Sequence, residues 1–275
     1  MNTIKLRNLS SLGLEELLQE CRSTRIQVKT DSKAYYDVDK DYPIIKEYYA
    51  DIEHNGRTIS KEKLHQLLES SHQHTLAYDP SRYLYPWVDL QSDGNLKSLY
   101  SGKQRNPEAV IAEDFKLQQL SKPNEDVLYN CEHVVPQSWF NKAQPMKGDL
   151  HHLFTCERDC NQRRSNYPYH DFEDYEPVIS VSDILKHCGK YEESKFEPEY
   201  GKGIVARAMM YFLVRYPNRL QEPNAARIDL ELLIKWHEDY PVSTYEKHRN
   251  LAIYELQGNR NPFIDYPDWV YKAFI

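Results

Sequence analysis

One stretch, Tyr129 to Asp171 (YNCEHVVPQSWFNKAQPMKGDLHHLFTCERDCNQRRSNYPYHD), restricts this chain more than any other. Glu132-His133-Val134-Val135-Pro136 sets a carboxylate and an imidazole on a short β-branched run that ends at proline. Asp149 to Thr155 predicts a second short strand, and the polar run Glu157 to Asn166 predicts a helix that stops before Pro168. Strand, strand and helix in that order would bring Glu132, His133 and Asn161 together across almost thirty residues. The chain is therefore expected to build an α+β core around this hairpin and helix.

Those three residues suit metal-assisted phosphodiester hydrolysis. A carboxylate oxygen and a carboxamide oxygen form a hard, half-filled shell that Mg²⁺ accepts, with water and phosphate oxygens completing it. A histidine beside the metal, rather than on it, can take the proton from an attacking water. Neighbouring strand residues point to opposite faces, so Glu132 and His133 require a bend or twist there. Pro136 is consistent with an irregular or edge strand.

Cys131-Glu132-His133-Val134-Val135-Pro136-Gln137-Ser138-Trp139-Phe140, then Gly148-Asp149-Leu150-His151-His152-Leu153, then Asn161-Gln162-Arg163-Arg164-Ser165-Asn166 resemble the endonuclease I family of His-Me finger (ββα-metal) nucleases. Lys202 to Met209 and Gln257 to Asp265 extend the resemblance, which covers roughly residues 60 to 272. It implies a ββα-metal core embedded in a largely helical domain, His133 as general base, and Glu132 with Asn161 as protein ligands of one catalytic Mg²⁺. It further implies sequence-nonspecific cleavage of DNA, with RNA left open, to give 5′-phosphate ends. Arg163 and Arg164 are the candidate nucleic-acid contacts.

A net charge of −7 is unusual for a protein that binds a polyanion. Affinity for nucleic acid comes from local phosphate contacts, so the balance predicts a small basic island and weak, salt-sensitive binding. No run of eighteen apolar residues is present, so no membrane-spanning helix is expected. The opening MNTIKLRNLSSLGLEELLQE has neither an uninterrupted apolar core nor a small-residue cleavage site. A cytoplasmic location, or export by a signal-independent route, is the expectation.

Residues 1–55 lie outside the resemblance and read as an N-terminal extension or peripheral subdomain; residues 56–275 read as the catalytic domain. Leu12, Leu14, Leu17 and Leu18 predict a short amphipathic helix, whereas Lys29 to Tyr49 shows no clean period. Ser60 should cap a helix carrying Leu64, Leu67 and Leu68. Gly203 to Tyr216 predicts a buried helix, in which Arg207 must find a carboxylate or a phosphate. Ser243 should cap a helix that Gly258 ends. His65, His72 and His74 are read as packing or solvated residues.

Cys131, Cys156, Cys160 and Cys188 leave three states open. A structural Zn²⁺ on four thiolates leads, followed by reduced buried thiols and then disulfides. Two rival functions accompany the nuclease reading. A zinc hydrolase using His133, His151 and His152 is disfavoured because adjacent strand histidines diverge. A catalytically silent nucleic-acid- or partner-binding module would not need Glu132, His133 and Asn161 together.

Overall fold

The computed structural model describes residues 13–53, 59–119, 128–175 and 188–275. Leu12 falls outside them. The first helix, α1 (Leu14–Lys29), turns Leu17, Cys21 and Val28 inward. Next comes α2 (Val38–Tyr48), where no period was expected. Its start is set by Asp37, whose side chain accepts the Lys40 N–H, an N-cap that the Asp- and Lys-rich composition disguises. Helix α3 (Lys61–Ser71) begins at Ser60 as expected, and buries Leu64 and Leu68 completely.

The next aromatic run contains a π-helical turn, Leu84–Val88, with Tyr85 fully buried. A hairpin of β1 (Leu96–Lys97) and β2 (Gln104–Arg105) leads into α4 (Pro107–Gln119). The central motif then forms β3 (Tyr129–His133), β4 (Leu153–Glu157) and α5 (Arg158–Arg164). A third hairpin, β5 (Gly189–Glu192) with β6 (Lys195–Pro198), precedes the helical C-terminal part. There α6 (Lys202–Arg215), α7 (Leu230–Asp239) and α8 (Thr244–Gln257) come in order. The class is α+β: helices dominate, and the described sheets are three antiparallel pairs.

Helix α6 is the central beam, and all but one of its residues are buried. Bulk of this kind cannot face water, so α3, α7 and the motif turn at Leu150–His152 close around it. Ser243 caps α8 in a reciprocal box with Glu246, and Gly258 at φ +91° ends that helix. Arg207 does find its carboxylate: Nε and Nη2 reach the two oxygens of Glu246 at 2.6 and 3.1 Å.

Two features of the motif differ from expectation. The second strand starts at Leu153, not Asp149, because the Asp149 side chain accepts the His151 N–H and caps a 3₁₀ turn, Leu150–His152. Arg249 pins that corner by donating to the carbonyls of Leu150 and Leu153 at 2.8 and 2.9 Å. The helix is also shorter than predicted, since Ser165 takes a positive φ of 52°.

Segments before residue 55 pack onto later parts of the chain. Cys21 shares an apolar cluster with Leu84, Ile111 and Ile253. Arg260 binds both oxygens of Asp41 at 3.0 Å and also the Asp265 carboxylate.

Candidate active site

Strands β3 and β4 are antiparallel, with Glu132 opposite Phe154 and His133 opposite Leu153. Helix α5 packs across both strands. Alternation places Asn130 and Glu132 on one face and Cys131 and His133 on the other. Asn161 donates its amide to Asn130 Oδ1 at 2.9 Å and to the Cys131 carbonyl at 3.3 Å, so it sits on the Glu132 face. Strand β3 ends at His133, and the chain bends at Val134 and Val135.

Glu132 is 2% exposed. Its Oε1 accepts the Tyr100 hydroxyl at 2.7 Å and lies 3.4 Å from Arg164 Nη1. Burial pushes the carboxyl up to about 7, while Arg164, the Tyr100 hydroxyl and the His133 N–H pull it back. Tyr100 in turn bonds the Tyr169 hydroxyl at 2.8 Å. Neither tyrosine was singled out in the sequence as part of a site: Tyr100 lies 32 residues from Glu132, and no local spacing marks it.

His133 has a different set of neighbours. Its Nε2 stands 3.0 Å from the Lys147 carbonyl, which can only accept, so Nε2 carries the proton. The lone pair is then on Nδ1, where the Gln137 amide donates at 3.2 Å. The ring packs 5.1 Å from Tyr78 and 5.4 Å from His152. Burial, followed by the neighbouring His152, holds His133 well below the usual imidazole range, so it is neutral at pH 7.

His151 and His152 are buried and serve the scaffold. His152 Nε2 meets the Met146 carbonyl at 2.6 Å, and His151 Nε2 meets the Asn259 carbonyl at 3.2 Å. Among the described residues no three of these side chains are placed to hold a metal together, so the three-histidine zinc arrangement is not formed.

The donors present select among divalent cations. Among the described residues no group of three or more His, Cys, Asp or Glu could hold a metal. Glu132 and Asn161, the expected ligands, would offer two oxygen donors: the Asn161 amide nitrogen is already spent, which leaves its Oδ1, and Tyr100 and Arg164 both act on Oε1 of Glu132. Two hard oxygens fit a hydrated Mg²⁺, which keeps most of its waters, and do not fit a closed zinc site.

The two arginines separate. Arg164 is 1% exposed and donates to the carbonyls of His133, Val134 and Ser165, with its guanidinium 4.9 Å from the Tyr169 ring. It is built into the site and is no surface phosphate contact. Arg163 is half-buried, 5.8 Å from the ring of the exposed Tyr191.

The zinc expectation for the cysteines needs correcting. Cys160 and Cys188 form a disulfide, while Cys131 and Cys156 are free and buried. Cys131 and Cys156 are moreover separated by strand alternation, since Cys131 faces Thr155 across the ladder and Cys156 faces Asn130. Four thiolates therefore do not converge. The sequence spacing could not reveal this, because pairing depends on where β5 returns to α5.

Known nucleases share stretches of this sequence. The chain is 35% identical to an extracellular ribonuclease of Bacillus amyloliquefaciens over 51% of its own length and 52% of that protein. It is 28% identical to an extracellular deoxyribonuclease of Aeromonas hydrophila, covering 60% and 77% of the two chains. It is 32% identical to a periplasmic deoxyribonuclease of the same organism, covering 49% and 62%. The chain thus spans about half the length of the Bacillus enzyme. These names overturn the expectation of a cytoplasmic location or a signal-independent exit, because the relatives are extracellular or periplasmic. The Cys160–Cys188 bridge accords with an oxidising compartment. The family model for endonuclease I matches residues 57–268, which contain the hairpin, the helix and every residue of the site, and the chain belongs to the endonuclease I family.

Proposed function

We propose that the protein is a Mg²⁺-dependent, sequence-nonspecific endonuclease that hydrolyses DNA, and RNA as a second substrate, from a ββα-metal core of the His-Me finger type. One observation carries the reading: a buried, neutral histidine with Nε2 tied to a carbonyl and its lone pair on Nδ1, next in sequence to a partly neutralised carboxylate. Relatives named for deoxyribonuclease and ribonuclease activity support the substrate class. Residues 56–275 form the catalytic domain in this reading, and residues 1–55 a peripheral segment, of which the described residues 13–53 pack on it.

His133 Nδ1 takes the proton from the attacking water as it approaches phosphorus in line, and the Lys147 carbonyl keeps the ring in the tautomer that permits this. This requires the substrate to bridge the Glu132 and His133 faces at the bend that ends β3. The Gln137 amide occupies the lone pair at rest and must yield to the water. Glu132 Oε2 and Asn161 Oδ1 would hold a single Mg²⁺, and Tyr100 with Arg164 fixes the Glu132 carboxylate by its other oxygen. When bound, the ion supplies Lewis-acid stabilisation of the charge that develops on the phosphate and the leaving 3′-oxygen. Arg163, at the rim, is the candidate contact for an adjacent phosphate.

Supercoiled plasmid incubated with the protein in Mg²⁺ and in EDTA tests the reading. Nicked and linear products bearing 5′-phosphates are expected in Mg²⁺ alone. Intact plasmid in both, with the substrate bound, would establish a silent binding module instead.

A further inference from the structure

Five arginines among the described residues are buried, and the side chains of four of them hydrogen-bond to carboxylates or carbonyls. Arg164 serves the site, Arg207 binds Glu246, Arg249 binds Asp89 and two carbonyls, and Arg260 binds Asp41 and Asp265. Arg215 is the exception. Its side chain is 8% exposed, yet it makes no side-chain hydrogen bond among the described residues, and its Nε is buried without a partner. The nearest carboxylate, Glu69, stands 3.7 Å from Nη1, and the Glu69 side chain is 63% exposed. A guanidinium left in this state costs stability unless something meets it.

It lines a cleft of about 180 Å³ together with His65, Glu69, Pro145, Tyr216 and Arg219. Three of those side chains are cationic or can become so, against one solvated carboxylate. The cleft is also rigid. Arg215 lies 4.6 Å over the Tyr216 ring, and the Tyr216 hydroxyl is tied to Asp149 at 2.8 Å. His65 is held through Nδ1 to the Val214 carbonyl at 3.0 Å.

The position adds meaning. Pro145 on the cleft wall is two residues from Lys147, whose carbonyl holds the proposed base. Two residues of chain span at most about 7 Å, while phosphates of one strand recur every ~3.4 Å along a duplex axis. The cleft is therefore within a few phosphates of the catalytic histidine.

We propose that the Arg215–Arg219–His65 cleft is an anion subsite that takes a non-scissile phosphodiester of the bound nucleic acid. This rests on the nuclease reading and adds a basic island to a chain of net charge −7. Arg215 and Arg219 would meet a phosphate oxygen in charge-assisted hydrogen bonds, for which the guanidinium fork is suited. Arg215 also sits in the last turn of α6, where a cation complements the helix dipole, and a purely structural part of that kind predicts different results.

The test uses the full chain, with metal chelated so that nothing is cut. Fluorescence anisotropy of a labelled oligonucleotide is followed across a salt series for the wild type, Arg219→Ala, Arg215→Gln and the double variant, with a thermal melt of each. The exposed Arg219 gives a readout even if Arg215→Gln folds poorly. Inorganic phosphate is titrated in parallel by calorimetry. The double variant is expected to bind about tenfold more weakly and to flatten the log–log salt slope by about 1, with phosphate binding lost. Unchanged affinity and slope in folded variants would overturn the subsite and leave Arg215 as a prop for the helix end. Loss of phosphate binding with DNA affinity unchanged would also overturn it, and would assign the cleft to free phosphate. Failure of the nuclease reading would show separately, as uncut plasmid with the wild type in Mg²⁺.

Discussion

Glu132 and Asp149 are both buried carboxylates of one motif, and they have opposite surroundings. Asp149 is saturated: the hydroxyls of Tyr211 and Tyr216 donate to Oδ2 at 2.8 Å, and Gln257 and the His151 N–H donate to Oδ1 at 3.0 Å. Burial acts to raise its pKa, but the nearby histidines His72, His151 and His152 and the Gln257 donor outweigh it and hold the group ionised. Glu132 has its two strong side-chain donors crowded onto one oxygen, and burial wins. A carboxylate whose lone pairs are all used is a strut. Glu132, with both of those side-chain donors on Oε1, is the one we propose for a cation.

Acid should break this pair unevenly, and with the largest effect. Burial holds His151 and His248 down to about 4, whereas unfolded imidazoles protonate near 6.5. The unfolded chain therefore binds more protons, and stability falls as pH drops from about 6.5 to 4, by roughly 3 kcal/mol for each of the two. Glu132 has the opposite sign: its raised pKa favours folding below about 4.5, and that contribution is lost as pH rises through about 7. Melting temperatures across pH 4–8 should decline on the acid side. A flat profile would refute the neutral buried histidines.

Removing the base comes next. His133→Ala should cut the plasmid-cleavage rate by about 10²–10⁴ while the melt and DNA binding persist. A folded variant with near-full activity would remove His133 from the mechanism.

Asp149→Ala should do the reverse, costing about 3–5 kcal/mol in denaturant unfolding, because two hydroxyls, an amide and an N–H lose their acceptor inside the core. If that variant melted like the wild type, the strut reading of Asp149 would be wrong.

The smallest effects should fall on the metal. Glu132→Gln and Asn161→Ala should each weaken Mg²⁺ by about tenfold or more in calorimetry, and excess Mg²⁺ should restore part of their activity, as mass action allows. No such rescue is expected for His133→Ala. Equal deficits in all three, indifferent to Mg²⁺, would dissolve the division between ligand and base.

Much of this was legible in the chain itself. Ser60, Ser243 and Gly258 mark helix ends because caps act within a turn or two, and Gly203 to Tyr216 is apolar on too many sides to be anything but buried. The hairpin-and-helix order of the motif, and Glu132, His133 and Asn161 on it, came from the same local signals together with the family resemblance. What failed was partly local capping that the composition disguised and partly contacts with distant chain. The start of β4 moved because Asp149 spends its side chain on a cap, and the cysteine set fell apart because Cys188 returns to α5 as a disulfide partner.

Arg163-Arg164 shows the division most clearly. Sequence alone fixes that two cations come after Asn161. Helical geometry turns consecutive residues about 100° apart, so only one of them can face the hairpin. Which one does so was decided by Tyr100, Tyr169 and Glu132 arriving from separate segments to enclose Arg164, while Arg163 stayed at the rim. Local chemistry determined which groups were present and where helices could start and stop; long-range packing decided which charges were desolvated and which donors met them, and the donors are what separate Asp149 from Glu132.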